Sequence, residues 1–189
     1  MVVRKVVMSK AFFVVSILFL AGCVSVSRSV TSTYILCPDA SVDKHYNALV
    51  GVSGIELPEY LDKHTITVRV NNHAIGSLKG HQWAQSFKRM IQASLSADLQ
   101  LRSTGGKESP QFSVYVQIHQ FELDMDNTLN VHANCILSTF SKGPGNFSKA
   151  FAFSQKYAWG GNDVDELIGL YDKAISDMAE LIAGKAVGL

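Results

Sequence analysis

Hydrophobic and polar residues alternate with period two along much of the second half of the chain, which is typical of half-buried β-strands. One such run spans residues 129–137, with a polar residue between most of its apolar ones. The run before it spans residues 112–123, and its alternation slips by one position, which predicts a β-bulge near Gln120. A turn at Asp126 separates the two runs, and a last strand carries aromatic residues over 151–159.

Shorter apolar runs in the first half predict four more strands, over residues 34–36, 48–57, 65–70 and 74–78. Proline residues follow the first two runs and end them, because proline cannot donate to a strand ladder. In the third run Ile66, Val68 and Val70 share one face.

Two segments have the spacing of amphipathic helices instead. Apolar side chains recur every three or four residues over 82–101 and again over 164–182. Asp163 and Glu166 form a capping box at the start of the second segment. The order strands, helix, strands, helix predicts an α/β fold of α+β character: one mixed, largely antiparallel sheet with two long amphipathic helices packed on it.

The N-terminus predicts an export signal. A basic start precedes residues 11–22, which carry no charge and end in Leu20-Ala21-Gly22-Cys23. Twelve helical residues span only about 18 Å, well short of a bilayer core of roughly 30 Å, so the run is typical of a secretory signal. Its end resembles the lipobox of bacterial lipoproteins, in which the cysteine receives a diacylglycerol, the peptide is cut before it and the new amine is acylated. An ordinary signal peptide with an incidental cysteine and a signal anchor are the alternatives.

This interpretation divides the chain into a signal peptide (1–22), a lipidated N-terminus and tether (23–33) and a single periplasmic domain (34–189). Cys23 is the predicted site of lipid attachment. Val24 stands where lipoproteins held at the inner membrane commonly have aspartate, so the resemblance implies the periplasmic face of the outer membrane.

Composition and motifs exclude several classes of function. Seventeen basic residues balance sixteen acidic ones, and no basic face predicts nucleic-acid binding. We find no histidine or cysteine pair at metal-ligand spacing, no nucleophile motif and no phosphate loop, so we expect no enzyme, no metal and no cofactor besides the lipid on Cys23. Asp124 and Asp126 favour a turn over a weak cation site. Cys37 and Cys135 form either a disulfide or two buried free thiols.

One segment is more specific than these signals. Leu57-Pro58-Glu59-Tyr60-Leu61-Asp62 is followed, about twenty residues later, by Trp83 at the predicted opening of the first helix. Together with the lipobox, this order resembles the ABC-transport auxiliary lipoproteins, the PqiC (YmbA) family. On physical grounds these motif residues build the fold, since Pro58 ends a strand and Trp83 anchors the helix start.

The resemblance implies a non-enzymatic component of an MCE-type intermembrane lipid transport system. Its implied partners are a periplasmic MCE-domain protein with its inner-membrane partners, the inner leaflet of the outer membrane, phospholipid and further copies of the chain. From their exposed alternation we predict Tyr115, Gln117 and His119 as the partner interface. The alternative is a regulatory lipoprotein that activates a cell-envelope (peptidoglycan) enzyme, but the short tether disfavours this hypothesis. A third hypothesis is a small periplasmic hydrolase, which the lack of a nucleophile motif disfavours.

Overall fold

The structure is a computed structural model, and it describes residues 31–38, 42–104, 109–140 and 147–188. The predicted signal peptide, Cys23 and the loop around Pro144 lie outside the described residues. The chain from Thr31 onward forms one compact unit.

Within the described ranges the strands and helices follow the predicted order. They are β1 (Ser32–Tyr34), β2 (Val50–Glu56), β3 (Thr65–Asn71), β4 (Ala74–Trp83), α1 (Phe87–Leu101), β5 (Phe112–Leu123), β6 (Thr128–Thr139), β7 (Ser148–Ala158) and α2 (Val164–Val187).

The strands form one seven-stranded sheet in the order β1-β4-β3-β5-β6-β7, with β2 pairing to β5. The long antiparallel pairs are β3–β4, β5–β6 and β6–β7, whereas β1–β4, β2–β5 and β3–β5 are parallel. This confirms the predicted mixed, largely antiparallel sheet. β5 is central because β2 lies along its first half and β3 meets its end, where Val68 pairs with Leu123. Its pairing with β6 shifts register between Ile118 and Gln120, which confirms the predicted bulge.

Both helices pack on one face of the sheet and against each other. The inward side chains of β5 and β6 are buried there, as their alternation predicts. An aromatic cluster joins the layers, with ring centroids 5.0 to 5.7 Å apart; its members are Trp83, Phe87, Phe121 and Tyr171. Burying four large rings against one another stabilises the fold, because it removes apolar area from water and places the rings in favourable relative orientations.

The start of the first helix differs from the prediction. Trp83 is the last residue of β4, where its backbone N–H donates to His64 at 2.6 Å, and α1 begins at Phe87. Ser86 is the N-cap, accepting a hydrogen bond from the backbone of Arg89 at 3.4 Å. A tryptophan four residues before Phe87 continues a helical stripe in the sequence, but pairing of β4 with β1 keeps residues 81–83 in the sheet.

Two smaller predictions are also corrected. β1 begins at Ser32 and ends at Tyr34, so the last two tether residues belong to the sheet and residues 35–36 do not. Asp163 does cap α2, but its side chain accepts from the backbone of Asp165 rather than Glu166.

Candidate docking face

The sheet surface opposite the helices is the candidate functional site, and we call it the open face. Strand alternation directs every second side chain of β5 and β6 to it, while their neighbours enter the core. At its centre lie Glu56, Tyr115, Gln117, His119, His132, Asn134 and Ile136. The fold thus places the three predicted interface residues on one surface.

Tyr115 is held in place by a short hydrogen bond. Its hydroxyl donates to Oε2 of Glu56 at 2.6 Å, and Gln117 Nε2 lies 3.4 Å from the same oxygen. This bond to Glu56 raises the pKa of Tyr115 above its ordinary value. The ring lies against Gly54, where a β-carbon would approach it to 3.1 Å. The lack of a side chain at Gly54 therefore gives Tyr115 its room, and the ring is a fixed feature of the open face.

Two histidines meet beside this group. The ring centroids of His119 and His132 are 5.8 Å apart, and Asn134 Nδ2 lies 2.9 Å from His119 Nε2. Their separation in sequence matches no metal motif, and the pairing of β5 with β6 brings them together, since Gln120, the residue after His119, pairs with His132. In the part of the chain that the structure describes, no group of three histidine, cysteine or acidic side chains converges on a metal position.

The open face offers hydrogen-bonding groups around exposed apolar surface. Tyr115 is 38% exposed and Ile136 is 43% exposed, and the imidazoles and amides lie between and beside them. Aromatic anchors with polar neighbours are typical of protein–protein interfaces. Sequence reasoning missed Glu56, His132 and Ile136 because strand pairing cannot be read from one sequence, although the alternation of β6 already separated the last two from the core.

The segment from Leu57 to Asp62, which precedes β3, makes its contacts inside the domain. Leu61 is buried, and its backbone N–H donates to the carbonyl of Pro58 at 2.9 Å. Leu57 and Tyr60 are half-buried against the core. Asp62 Oδ1 accepts a hydrogen bond from the backbone of Lys88 at 3.3 Å. Since the first turn of α1 contains no acidic residue of its own, Asp62 supplies negative charge to its N-terminus from outside the helix.

The other candidate chemistry takes ordinary structural roles. Cys37 and Cys135 are both free thiols, and Cys37 is exposed rather than buried. Burial raises the pKa of Cys135 to about 12. Asp124 lies in the β5–β6 turn, with Oδ1 accepting from the backbone of Met125 at 2.7 Å, as the turn interpretation expects.

Charged side chains lie in the walls of several depressions on the described surface. One of about 460 Å³ lies between Tyr46 and α2 and is lined in part by Asp177, Glu180 and Lys185. Such charged walls do not suit an acyl chain. Among the described residues, no helix is both long and apolar enough to cross a membrane.

Known proteins resemble this chain in sequence pattern and in fold. Residues 36–183 match the family model described as "ABC-type transport auxiliary lipoprotein component". A search of curated proteins finds no match. Two crystal structures have a similar fold: an uncharacterised protein (14% identity, TM-score 0.60, 82% of this chain and 98% of the other) and a Xanthomonas campestris protein of family DUF330 (15% identity, TM-score 0.58, 82% and 95%).

Proposed function

Because the chain belongs to the family of ABC-type transport auxiliary lipoprotein components, we propose that it serves an MCE-type intermembrane lipid transport system. In this proposal it is anchored to the outer membrane through lipid on Cys23, faces the periplasm and docks a periplasmic MCE-domain assembly. The family match over most of the chain, together with the lipobox, carries the proposal.

The anchor fixes where the domain works. Each buried acyl CH₂ contributes roughly 0.8 kcal/mol, so two or three chains on Cys23 hold the protein on a bilayer. Thr33 in the first strand lies only ten positions after Cys23, and ten residues reach about 35 Å when fully extended. A domain held this close to one membrane suits a fixed docking module.

The open face is the proposed docking surface. It is rigid, since its central tyrosine is hydrogen-bonded to Glu56 and rests on Gly54. Pre-ordered aromatic side chains lose little conformational entropy when a partner binds, which favours them as interface anchors. Ile136 adds apolar surface next to Tyr115, its cross-strand neighbour on β5.

The role is non-enzymatic in this proposal. Tyr115, Gln117 and His119 already have polar partners on the open face, and charged side chains line part of the depression along α2. Transported phospholipid would accordingly pass through the partner assembly and the bilayer leaflet rather than be enclosed by this domain. Self-association of the chain belongs to the same proposal, and light scattering of the lipidated protein in detergent would measure it.

Two experiments test the anchor and the docking face separately. For the anchor, Cys23→Ala should give unprocessed or mislocalised protein; a variant still processed at the same bond and still in the outer membrane would exclude it. For the face, Ile136→Arg should abolish co-purification of the MCE-domain protein from cross-linked envelopes. Leu101→Arg is the matched control, because Leu101 is 46% exposed at the end of α1. Equal recovery of the partner with both variants would rule out the open face.

A further inference from the structure

We propose that one end of the sheet rests on the bilayer, with the side chains of Val70, Ile75 and Met125 entering its interfacial layer. This end, which we call the membrane end, consists of the β3–β4 turn and the β5–β6 turn. The inference depends on the proposed lipid anchor at Cys23, and it adds the orientation in which that anchor holds the domain.

Strand directions place the two turns together. β3 and β5 are parallel, and Val68 pairs with Leu123. Both strands therefore end on the same side of the sheet, β3 at Asn71 and β5 at Leu123. Val70 lies two residues after Val68, and Met125 lies two residues after Leu123. The two residues are therefore at a similar position along the strand direction, near the end of the sheet.

Apolar side chains at this end are exposed in the described structure. Met125 is 63% exposed, Val70 51% and Ile75 43%. Val70 lies against Gly76, where a β-carbon would approach its Cγ2 to 2.9 Å, so the missing side chain at Gly76 makes room for it. Single exposed apolar residues are common on soluble domains, but three at one end form a contact area for an amphipathic environment.

The direction of β1 points its N-terminal end towards the same side. β1 is parallel to β4, so the chain arrives from the direction in which β4 begins, the β3–β4 turn. Thr33 pairs with Gln82, which in turn pairs with Thr65. Thr65 lies three residues before Val68, so Thr33 lies about 10 Å behind the end of β5.

Tether length agrees with this orientation. The turn at Asn71 lies six residues beyond Thr65, or about 20 Å at roughly 3.3 Å per residue. The chain from Cys23 to Thr33 reaches about 35 Å at most. The lipidated cysteine therefore reaches a bilayer in contact with the membrane end without reversing its direction.

The opposite end of the sheet carries Phe140 and Phe147, which are exposed too. Phe112, which pairs with Thr139 at that end, lies eleven residues before Leu123 on β5, and hence about 26 Å behind Thr33. Three strand spacings of about 4.8 Å add a sideways offset. A tether reaching that end would have to turn back and use nearly all of its length, so Phe140 and Phe147 face the periplasm.

The polar and acidic residues of the two turns indicate which lipid headgroups the membrane end would contact. Asn71, Asn72 and His73 form a polar β3–β4 turn at headgroup level, and Asp124 and Asp126 flank Met125. Two carboxylates beside the contact favour zwitterionic over anionic lipid. Phosphatidylcholine vesicles are therefore a suitable probe.

Depth-dependent quenching tests the orientation on the full lipidated protein. A bimane label is placed at Met125→Cys or, as the matched control, at Phe147→Cys, each in a Cys37→Ser background. The protein is reconstituted in phosphatidylcholine vesicles containing nitroxide-labelled acyl chains. We expect quenching at position 125 to exceed that at position 147 by roughly twofold or more, since an interfacial contact buries the label about 5 to 10 Å into the headgroup/acyl boundary.

Equal quenching at the two positions, or stronger quenching at 147, would overturn the orientation while leaving the anchor intact. The parent Cys37→Ser protein must float with the vesicles and carry the mass of the lipid on Cys23. If the parent protein neither floats nor carries the lipid mass, the proposed anchor at Cys23 is wrong, and the proposed orientation fails with it. Ile75→Cys supplies a second label at the membrane end, and it should follow position 125.

Discussion

Arg69 on β3 donates a hydrogen bond from Nε to Oε1 of Glu122 on β5, with a separation of 2.6 Å. The Glu122 side chain is fully buried, whereas that of Arg69 is 26% exposed. The hydrogen bond to Glu122 raises the pKa of Arg69. This ion pair joins the strands that meet at the membrane end, and it lies next to the backbone pairing of Val68 on β3 with Leu123 on β5.

Removing Arg69 should destabilise the domain strongly. Arg69→Met leaves the Glu122 carboxylate buried without its cation, and we expect the free energy of unfolding to fall by roughly 3–5 kcal/mol. Urea denaturation at pH 7 measures the change. Lys173→Met is the control, because Lys173 pairs with Asp177 in an exposed i,i+4 arrangement worth about 0.5 kcal/mol or less. Equal effects of the two substitutions would refute the importance of burial.

Tyr60 should make stability depend on alkaline pH. Burial, and secondly the Glu122 charge, raise the pKa of Tyr60 from 10.0 to about 12. The folded state thus favours the neutral phenol, so this contribution is complete below pH 10 and is lost as the pH rises towards 12. Burial raises the pKa of Tyr171 in the same direction. Unfolding free energies measured from pH 8 to 11 should fall less steeply for Tyr60→Phe than for the wild type; parallel curves would contradict the assignment.

Asp62 should stabilise the start of α1. Asp62→Ala removes the acceptor for the Lys88 backbone N–H, and we expect a loss of about 1 kcal/mol, typical of a helix cap. Asp62→Asn keeps an acceptor but not the charge, so it should lose less. Chemical denaturation of the three proteins gives the order. An alanine variant as stable as the wild type would show that Ser86 alone caps the helix.

The two thiols of the domain should differ sharply in reactivity. Cys37 is exposed, whereas burial raises the pKa of Cys135 to about 12 and suppresses its thiolate. Alkylation of the native protein at pH 8 should modify Cys37 alone, and alkylation after unreduced denaturation should modify both. Intact mass distinguishes the states. Absence of any alkylation in denatured, unreduced protein would indicate a disulfide instead.

Trp83 should be essential to the core. Its side chain is 2% exposed, stacks on Phe87 with centroids 5.1 Å apart and meets the edge of Tyr171 at the same distance. Trp83→Ala should lower stability by roughly 3–5 kcal/mol. The thermal unfolding curve measures this, and Trp83→Phe should recover part of the loss. An unchanged curve for the alanine variant would be incompatible with the packing.

Local periodicity predicted much of the fold. The inward residues of β5 and β6, the bulge before Gln120 and the start of α2 at Val164 all follow from the spacing of apolar and polar positions, because burial on one face imposes a period of two or 3.6. The start of α1 could not be predicted from this spacing. Trp83 fits a helical stripe and a strand end equally well, and only its pairing with β1 and packing on Tyr171 decide between them.

The sequence by itself determined the class of this protein: its alternating strands, its two amphipathic helices, its lipobox and the segment from Leu57 to Asp62. Those properties are local, since each depends on residues close together in the chain. Tertiary structure alone decided what meets across the sheet. It brought Glu56 to Tyr115, His119 to His132 and Arg69 to Glu122, and it set the direction of β1. Strand order and register depend on contacts between distant residues, which a single sequence does not reveal.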